Sequence, residues 1–494
     1  MSDFKIVVLW TDALVFVLLA CALAFGFYVR RKEHLAAPWR RVARSRAGMA
    51  ALVVLAVLLA IGLLDSLHFR PAVAGTGKNG EKSYAVEVLS LFDVLVAPLR
   101  ERKEKSYSAP LAAHLFAKQT VELPDGRQVR EYPRLVHGGA HLRDPATERG
   151  PDVVKRAGLG LALGAAIWII VDVLVTSVLA RRSRSPFGAV HRDLWRGATD
   201  IPWNVILITG GLLLMIVGPV LGLAGGYHVL GTDKVGQDVL YLSLKSIRTA
   251  LVIGTLTTLV TLPLALLLGI MAGYFGGRTD DVIQYLYTTL NSIPGVLLIA
   301  AAVLMTQVYM DTHAEMFETV SHRADFRLLF LCIILGMTSW TGLCRLLRGE
   351  ALKLREMDYI QAAQAFGVRR LRIITRHILP NVMHIVLIAI VMDFSGLVLA
   401  EAVLSYVGVG VDPSMISFGT MINSARLEMA REPMVWWSLA AAFTFMFLLV
   451  LAANLFADAV RDAFDPRVRV RSAAVASTAQ DATALHPAAA GPTR

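Results

Sequence analysis

Asp172, Asp393 and Glu401 are carboxylates inside long apolar runs. A charged group near a bilayer midplane costs about 2.5–3.5 kcal/mol on insertion scales, so each must face protein, a hydrogen-bond donor or a water-filled path. Asp172 reads as a helix–helix bonding residue. Asp393 and Glu401 stay open between bonding and a place on a solute pathway. His137-Gly-Gly-Ala-His141 has the i, i+4 spacing of a metal pair, but two glycines disfavour a helix and no third ligand is evident, so a loop and no metal site are expected. Gly75-Thr-Gly-Lys-Asn-Gly-Glu-Lys-Ser83 superficially matches a phosphate loop yet lacks the Gly-Lys-Ser/Thr ending and a preceding strand. It reads as a flexible loop. No Walker, zinc-protease or nucleophile-elbow pattern occurs, so neither covalent chemistry nor a cofactor is expected, and any energy source must lie in another chain.

The remaining candidate is a surface rather than a reactive centre. Residues 359–381 form a polar, arginine-rich interruption between apolar runs. As a helix it places Tyr359, Ala362, Ala363 and Phe366 at i, i+3, i+4 and i+7, a stripe of small residues between two aromatics that another protein could approach closely. Gly367 supplies a turn. A second stripe of Leu371, Ile374 and Ile378 is expected to end at Pro380, which sets the entry angle of the next element. Ala363→Trp is the substitution this stripe marks for blocking a docked partner.

These residues need a scaffold, and composition says which. The chain has 494 residues, 55% hydrophobic and 18% charged, with mean hydropathy +0.57, the profile of an integral membrane protein. Continuous apolar runs near 5–28, 47–67, 157–180, 203–226, 246–270, 282–307, 327–345, 382–410 and 436–459 are each long enough to cross a bilayer core of about 30 Å. They do not alternate, so the fold class is all-α: a polytopic helical bundle of about nine spans. Arginine and lysine crowd residues 30–46, 181–196 and 345–376, which marks these loops and the C-terminus as cytoplasmic and the N-terminus as outside. The net charge of +11 sits beside spans, where membrane lipid rather than nucleic acid is the expected partner. Cys21, Cys332 and Cys344 lie in or beside apolar runs and offer no disulfide framework. The first span has cleavage-like sites around Cys21, but its basic residues follow it, so a retained anchor is expected.

Five segments emerge: N-terminal spans (1–67), an external insertion with a small α+β character (68–156), two additional spans (157–226), a core (227–466) and an Ala/Thr/Pro-rich tail expected to be disordered (467–494). In the insertion, residues 85–99 read as an apolar helix and 123–126 as a turn between strands. Ahead of the fifth span, Gly231, Thr232, Asp233, Gly236 and Asp238 read as a capped turn in which Thr232 or Asp233 accepts from the next helix's first amides. Gly273-Tyr-Phe-Gly-Gly-Arg-Thr-Asp-Asp281 reads as a tight turn, and Pro294 breaks or bends the sixth span, as residues lining cavities often do.

Together these motifs resemble the permease subunits of ATP-binding-cassette importers, specifically the C-subunit type of the dipeptide, oligopeptide and nickel family. Gln361-Ala362-Ala363, Gly367 and Ile378-Leu379-Pro380 fall on the family's coupling-loop positions, with Gln361 in place of its usual glutamate. The lead-in His228-Val-Leu-Gly-Thr-Asp-Lys-Val-Gly-Gln-Asp238 also matches, with Gln237 replacing an arginine. The resemblance covers residues 228–467 and 40–67. It implies a subunit of the bacterial inner (plasma) membrane that imports peptides or similar solutes by alternating access. It also implies a homologous second permease, two cytoplasmic ATPases and an external solute-binding protein as partners. A nickel or chelated-metal importer is the rival within the family. An ion-coupled secondary transporter using Asp172, Asp393 and Glu401 is the rival outside it, and a sensor built on the insertion is a third reading.

Overall fold

The computed structural model describes residues 4–76, 82–122, 128–317 and 319–464. Strand β1 (Phe4–Val7) precedes α1 (Trp10–Arg30), α2 (Glu33–Val42) and α3 (Arg46–Asp65). Ser45 caps α3 by accepting from Gly48 N at 3.2 Å. The insertion holds β2 (His68–Thr76), β3 (Lys82–Tyr84), β4 (Leu89–Ser90), α4 (Leu91–Leu95), α5 (Ala97–Glu101) and the hairpin β5 (Gln119–Glu122) and β6 (Gln128–Glu131). β2 pairs antiparallel with β1, β3 and β4, with Phe4 opposite Pro71 and Val7 opposite His68. The N-terminal strand is therefore part of the insertion's sheet, and the two lie on one side of the bundle.

Next come α6 (Pro145–Ser183), α7 (Phe187–Arg196) and α8 (Trp203–Ala224). The second half is α9 (Val239–Phe275), α10 (Gly277–Ser292), α11 (Gly295–Thr312), α12 (Val320–Arg355), α13 (Asp358–Ala365), α14 (Arg370–Ile373), α15 (Leu379–Val407), α16 (Phe418–Glu428) and α17 (Trp437–Phe464). Among the described residues nine helical segments are long and apolar enough to cross a membrane, matching the expected number and the all-α class.

Most span surfaces face outward, and burial concentrates on α9 and α12. These two pack closely because Gly269 and Gly273 of α9 face the carbonyls of Cys344 and Arg348, where a Cβ would stand only 2.8 and 2.5 Å from oxygen. The additional spans use the same device: a Cβ on Gly160 of α6 would lie 2.2 Å from the carbonyl oxygen of Gly218 in α8. That pair reaches the core through α8 against α3.

Three local expectations change. The apolar run 282–307 is not one helix: α10 and α11 meet at Ile293-Pro294, and the membrane-length segment is Gly295–Thr312. Proline at the junction removes the amide that a continuous helix would need. Residues 85–99 form a strand and two short helices, because Ser90 and Asp93 make a capping box that starts α4 and Pro98 sits in the first turn of α5. α6 starts at Pro145, so the insertion's non-helical part ends before residue 156. The turn at 123–126, residues 77–81 of the phosphate-loop lookalike and the tail lie outside the described residues.

Candidate coupling and translocation site

Residues 358–381 leave α12 after Arg355 and project as α13, a turn at Gly367 (φ +71°), α14 and a π-helical turn over Ile374–Ile378. Ile360, Ile373 and Ile378 are fully buried and anchor the loop on the α9–α12 core. The exposed face carries Tyr359 (45% exposed), Ala362 and Phe366, the last 87% exposed. Ala363 turns partly inward against the core. Tyr359, Ala362 and Phe366 thus share an exposed face that Ala363 leaves in part.

The second stripe does not form as expected. Leu371 is 72% exposed, and Ile373 takes its place inside. The π turn supplies the reason, since five residues per hydrogen-bonded turn rotate the apolar set off the 3.6-residue pattern. Pro380 does not end a helix either; it sits in the first turn of α15 immediately after the π turn, where the missing amide costs nothing. Leu379 is half-buried against the same core. Gln361 donates from Nε2 to the Glu356 carbonyl at 3.2 Å, closing the end of α12. A glutamate there could not donate.

Above the loop, α9, α12, α15 and α17 enclose a cavity of about 980 Å³ that includes Asp393 among its lining residues. Glu401, the residue after the cavity-lining Ala400 on α15, points elsewhere: it is 1% exposed and accepts from Ser405 Oγ at 2.6 Å and Ser417 Oγ at 2.9 Å. Its part is to hold α15 to α16, so of the two open carboxylates the structure brings only Asp393 to the cavity. Pro294 lies exposed at the α10–α11 break and does not line the cavity. Asp172 Oδ2 stands 3.6 Å from His191 Nδ1 of α7, beyond hydrogen-bond distance, and its Oδ1 is buried without a hydrogen-bond partner among the described residues, so the expected bond between helices is not formed here.

At the opposite end the lead-in residues meet the insertion. Thr232 Oγ1 accepts from Ser108 N at 2.7 Å, and its carbonyl accepts from Trp437 Nε1 at 3.0 Å. The carbonyl of Gly236 (φ +73°) accepts from Glu104 N at 2.9 Å, and a Cβ there would stand 1.8 Å from the Glu104 carbonyl oxygen. Gly231 (φ +75°) is packed against Ser108 O, which lies 2.5 Å from its ideal Cβ. The cap of α9 is Asp238, accepting from Leu240 N at 2.8 Å; Asp233 instead folds the turn by accepting from Val235 N and Gln237 N. The expected cap was misplaced because three acceptors stand within seven residues and only the helix start decides between them.

His228 sits between carboxylates, with Nδ1 2.7 Å from Asp238 and Nε2 3.4 Å from Glu104, the second an ion-pair contact rather than an aligned hydrogen bond. Burial lowers its affinity for a proton, but the bonds and charges of Asp238 and Glu104 outweigh this and raise its pKa from 6.5 to about 9. Glu104, opposed by burial but held by His228 and the amides of Gly138, Val136 and His137, falls from 4.5 to about 2. The histidine stabilises the folded state fully below pH 6.5 and loses that contribution up to about pH 9, while the glutamate contributes above 4.5 and loses it toward pH 2. Thermal unfolding of the solubilised chain is therefore expected to peak between these limits and to lose roughly 2–3 kcal/mol toward alkaline pH. His228→Gln should flatten the alkaline limb; an unchanged limb would remove this histidine from the account.

Sequence reasoning missed a buried polar network that joins α1 to the core. Arg248 of α9 donates to Asp12 of α1 at 2.5 Å and to Ser66 Oγ at 3.3 Å; Asp12 also meets His68 at 2.7 Å. Thr11 N donates to Asp325 of α12 at 3.1 Å, and the Thr11 hydroxyl bonds the same carboxylate. Next to it Lys245 contacts Asp93 of the insertion at 2.6 Å. The signal available was a set of lone charges at span ends; their pairing is long-range and leaves no local pattern.

The family model described as "binding-protein-dependent transport system inner membrane component" matches residues 265–470. The oligopeptide transport system permease protein OppC of Mycobacterium tuberculosis is 31% identical over 245 residues, half of this chain and 78% of that protein. The dipeptide permease DppC of Bacillus subtilis is 27% identical over 49% of this chain and 69% of its own, and the glutathione permease GsiD of Pectobacterium atrosepticum 32% over 49% and 73%. A solved inward-facing methionine ABC transporter, MetNI, overlaps 46% of this chain and 98% of its own at TM-score 0.36 and 15% identity, too loosely to add to the family match. With nine membrane-length helices and these relatives, the chain belongs to the binding-protein-dependent transport system inner membrane component family, the multi-pass permease subunits of ABC importers.

Proposed function

We propose that this chain imports peptides or similarly sized solutes across a bacterial inner membrane, paired with a homologous permease, two cytoplasmic ABC ATPases and an external solute-binding protein. The observation that carries this reading is the exposed Tyr359–Ala362–Phe366 face on a loop rigidly anchored by Ile360, Ile373 and Ile378. An aromatic ring left 87% exposed on a basic surface suits a docking knob. The loop joins α12 through Glu356 and Met357 and runs through the π turn directly into α15, and both helices wall the cavity, so closure of the ATPases on it moves the helices that set access. The loop faces the cytoplasm and the insertion, with β1, faces outward, in keeping with the arginine distribution. Gly231, Thr232, Asp233, Gly236 and Asp238 then serve to lock the outer insertion onto the start of α9.

Peptide uptake by cells or vesicles carrying the assembled transporter is expected to stop when ATP is depleted and to persist when an uncoupler collapses the proton gradient. Uptake that survives ATP depletion and fails with the uncoupler would establish ion coupling instead.

A further inference from the structure

The cavity is electrically polar along its length. At the coupling-loop end it is lined by Lys353 and Arg461 and by His384, with Glu350, 3.5 Å from Lys353, as the carboxylate among the described lining residues there. Deeper, on α15, the lining carries Asp393, to which no described side chain or amide supplies a charge or a hydrogen bond. Between them the walls are apolar residues such as Ile385, Ile388 and Ala389. A carboxylate on a membrane helix that faces a cavity rather than a partner implies a cation or strong donor that comes and goes.

Asp393 lies nine positions beyond His384 on one helix, about 13 Å along its axis. An extended peptide spans about 3.3–3.6 Å per residue, so about four residues bridge that distance. The volume is adequate, since small-molecule sites fall at about 300–1,000 Å³. We infer that Asp393 receives the free α-ammonium group of a short peptide whose carboxylate is turned toward Lys353, His384 and Arg461. This inference rests on the peptide-import reading and adds to it the class of substrate, a zwitterionic peptide of about four residues, and its direction in the cavity.

The test uses the assembled transporter in nanodiscs without its binding protein, so that selectivity read at the cavity is not that of the receptor. The probes are tetra-alanine and N-acetyl-tetra-alanine, with binding followed by equilibrium dialysis. Tetra-alanine is expected to bind about tenfold or more tightly than its acetylated form, as a charge-assisted hydrogen bond requires. Asp393→Asn should abolish this preference and Asp393→Glu should retain it. Equal binding of both peptides by the wild type overturns the inference, as does an equal loss for both peptides in the asparagine variant. Dissociation of the permease pair in that variant also overturns it, by making Asp393 a counter-charge to the second subunit. If the asparagine variant does not fold, the wild-type comparison and Asp393→Glu decide. A wild type that binds neither peptide also overturns the role of Asp393 and leaves the import reading to the ATP-depletion uptake experiment, so the two fail separately.

Discussion

Arg248→Ala is expected to destabilise the chain by about 3–5 kcal/mol, because it strands Asp12 among apolar helices without its cation. The guanidinium is 6% exposed and is the one group that reaches Asp12, Thr11 and Ser66 together, so its loss uncouples α1, the start of the insertion and α9 in a single step. Neither a water nor His68, already bonded to Asp12 at 2.7 Å, can supply the same fixed charge. The measurement is thermal or denaturant unfolding of the purified chain, with protease sensitivity of α1 as a local report. A double change, Asp12→Leu with Arg248→Met, is expected to be less damaging than Arg248→Ala, since removing both charges spares the desolvation that remains when one is left alone. If the double variant is the worse of the two, the ion pair contributes more than the absence of an unpaired charge.

Much of the architecture was legible from composition, and for a simple reason. Hydrocarbon demands continuous apolar helices, so length and hydropathy count the spans almost without reference to the rest of the chain. Local punctuation was legible too: Gly367, the Gly276–Gly277 pair with positive φ, and Pro294 all mark turns or breaks in the structure. What failed was register and pairing. Leu371 and Ile373 exchanged places because a π turn has no signature in a 3.6-residue pattern. Glu401 and Asp393 looked alike in sequence, yet Ser405 and Ser417 close around one and a cavity opens on the other. Asp12, a single acidic residue within the first apolar run, is a structural ion-pair partner 236 positions from Arg248. Likewise the lead-in glycines were visible as a turn, but their cause is the insertion: Glu104 and Ser108 approach too closely for any side chain at Gly236 and Gly231.

The structure also moves the most informative substitution in the coupling loop by one residue. Ala363 packs partly into the loop's own core, so a large side chain there would confound docking with misfolding. Ala362 is exposed between Tyr359 and Phe366, and a tryptophan at this position adds bulk to the docking face while touching nothing inside. The central claim is that this face transmits ATPase closure to α12 and α15. The direct measurement is ATP-driven peptide uptake by the transporter carrying Ala362→Trp, alongside its membrane insertion and unfolding temperature. Uptake is expected to fall by about a hundredfold or more, the loss of an interface hot spot of about 3 kcal/mol, in a chain that inserts and unfolds like the wild type. Uptake at the wild-type rate from that variant would contradict the claim.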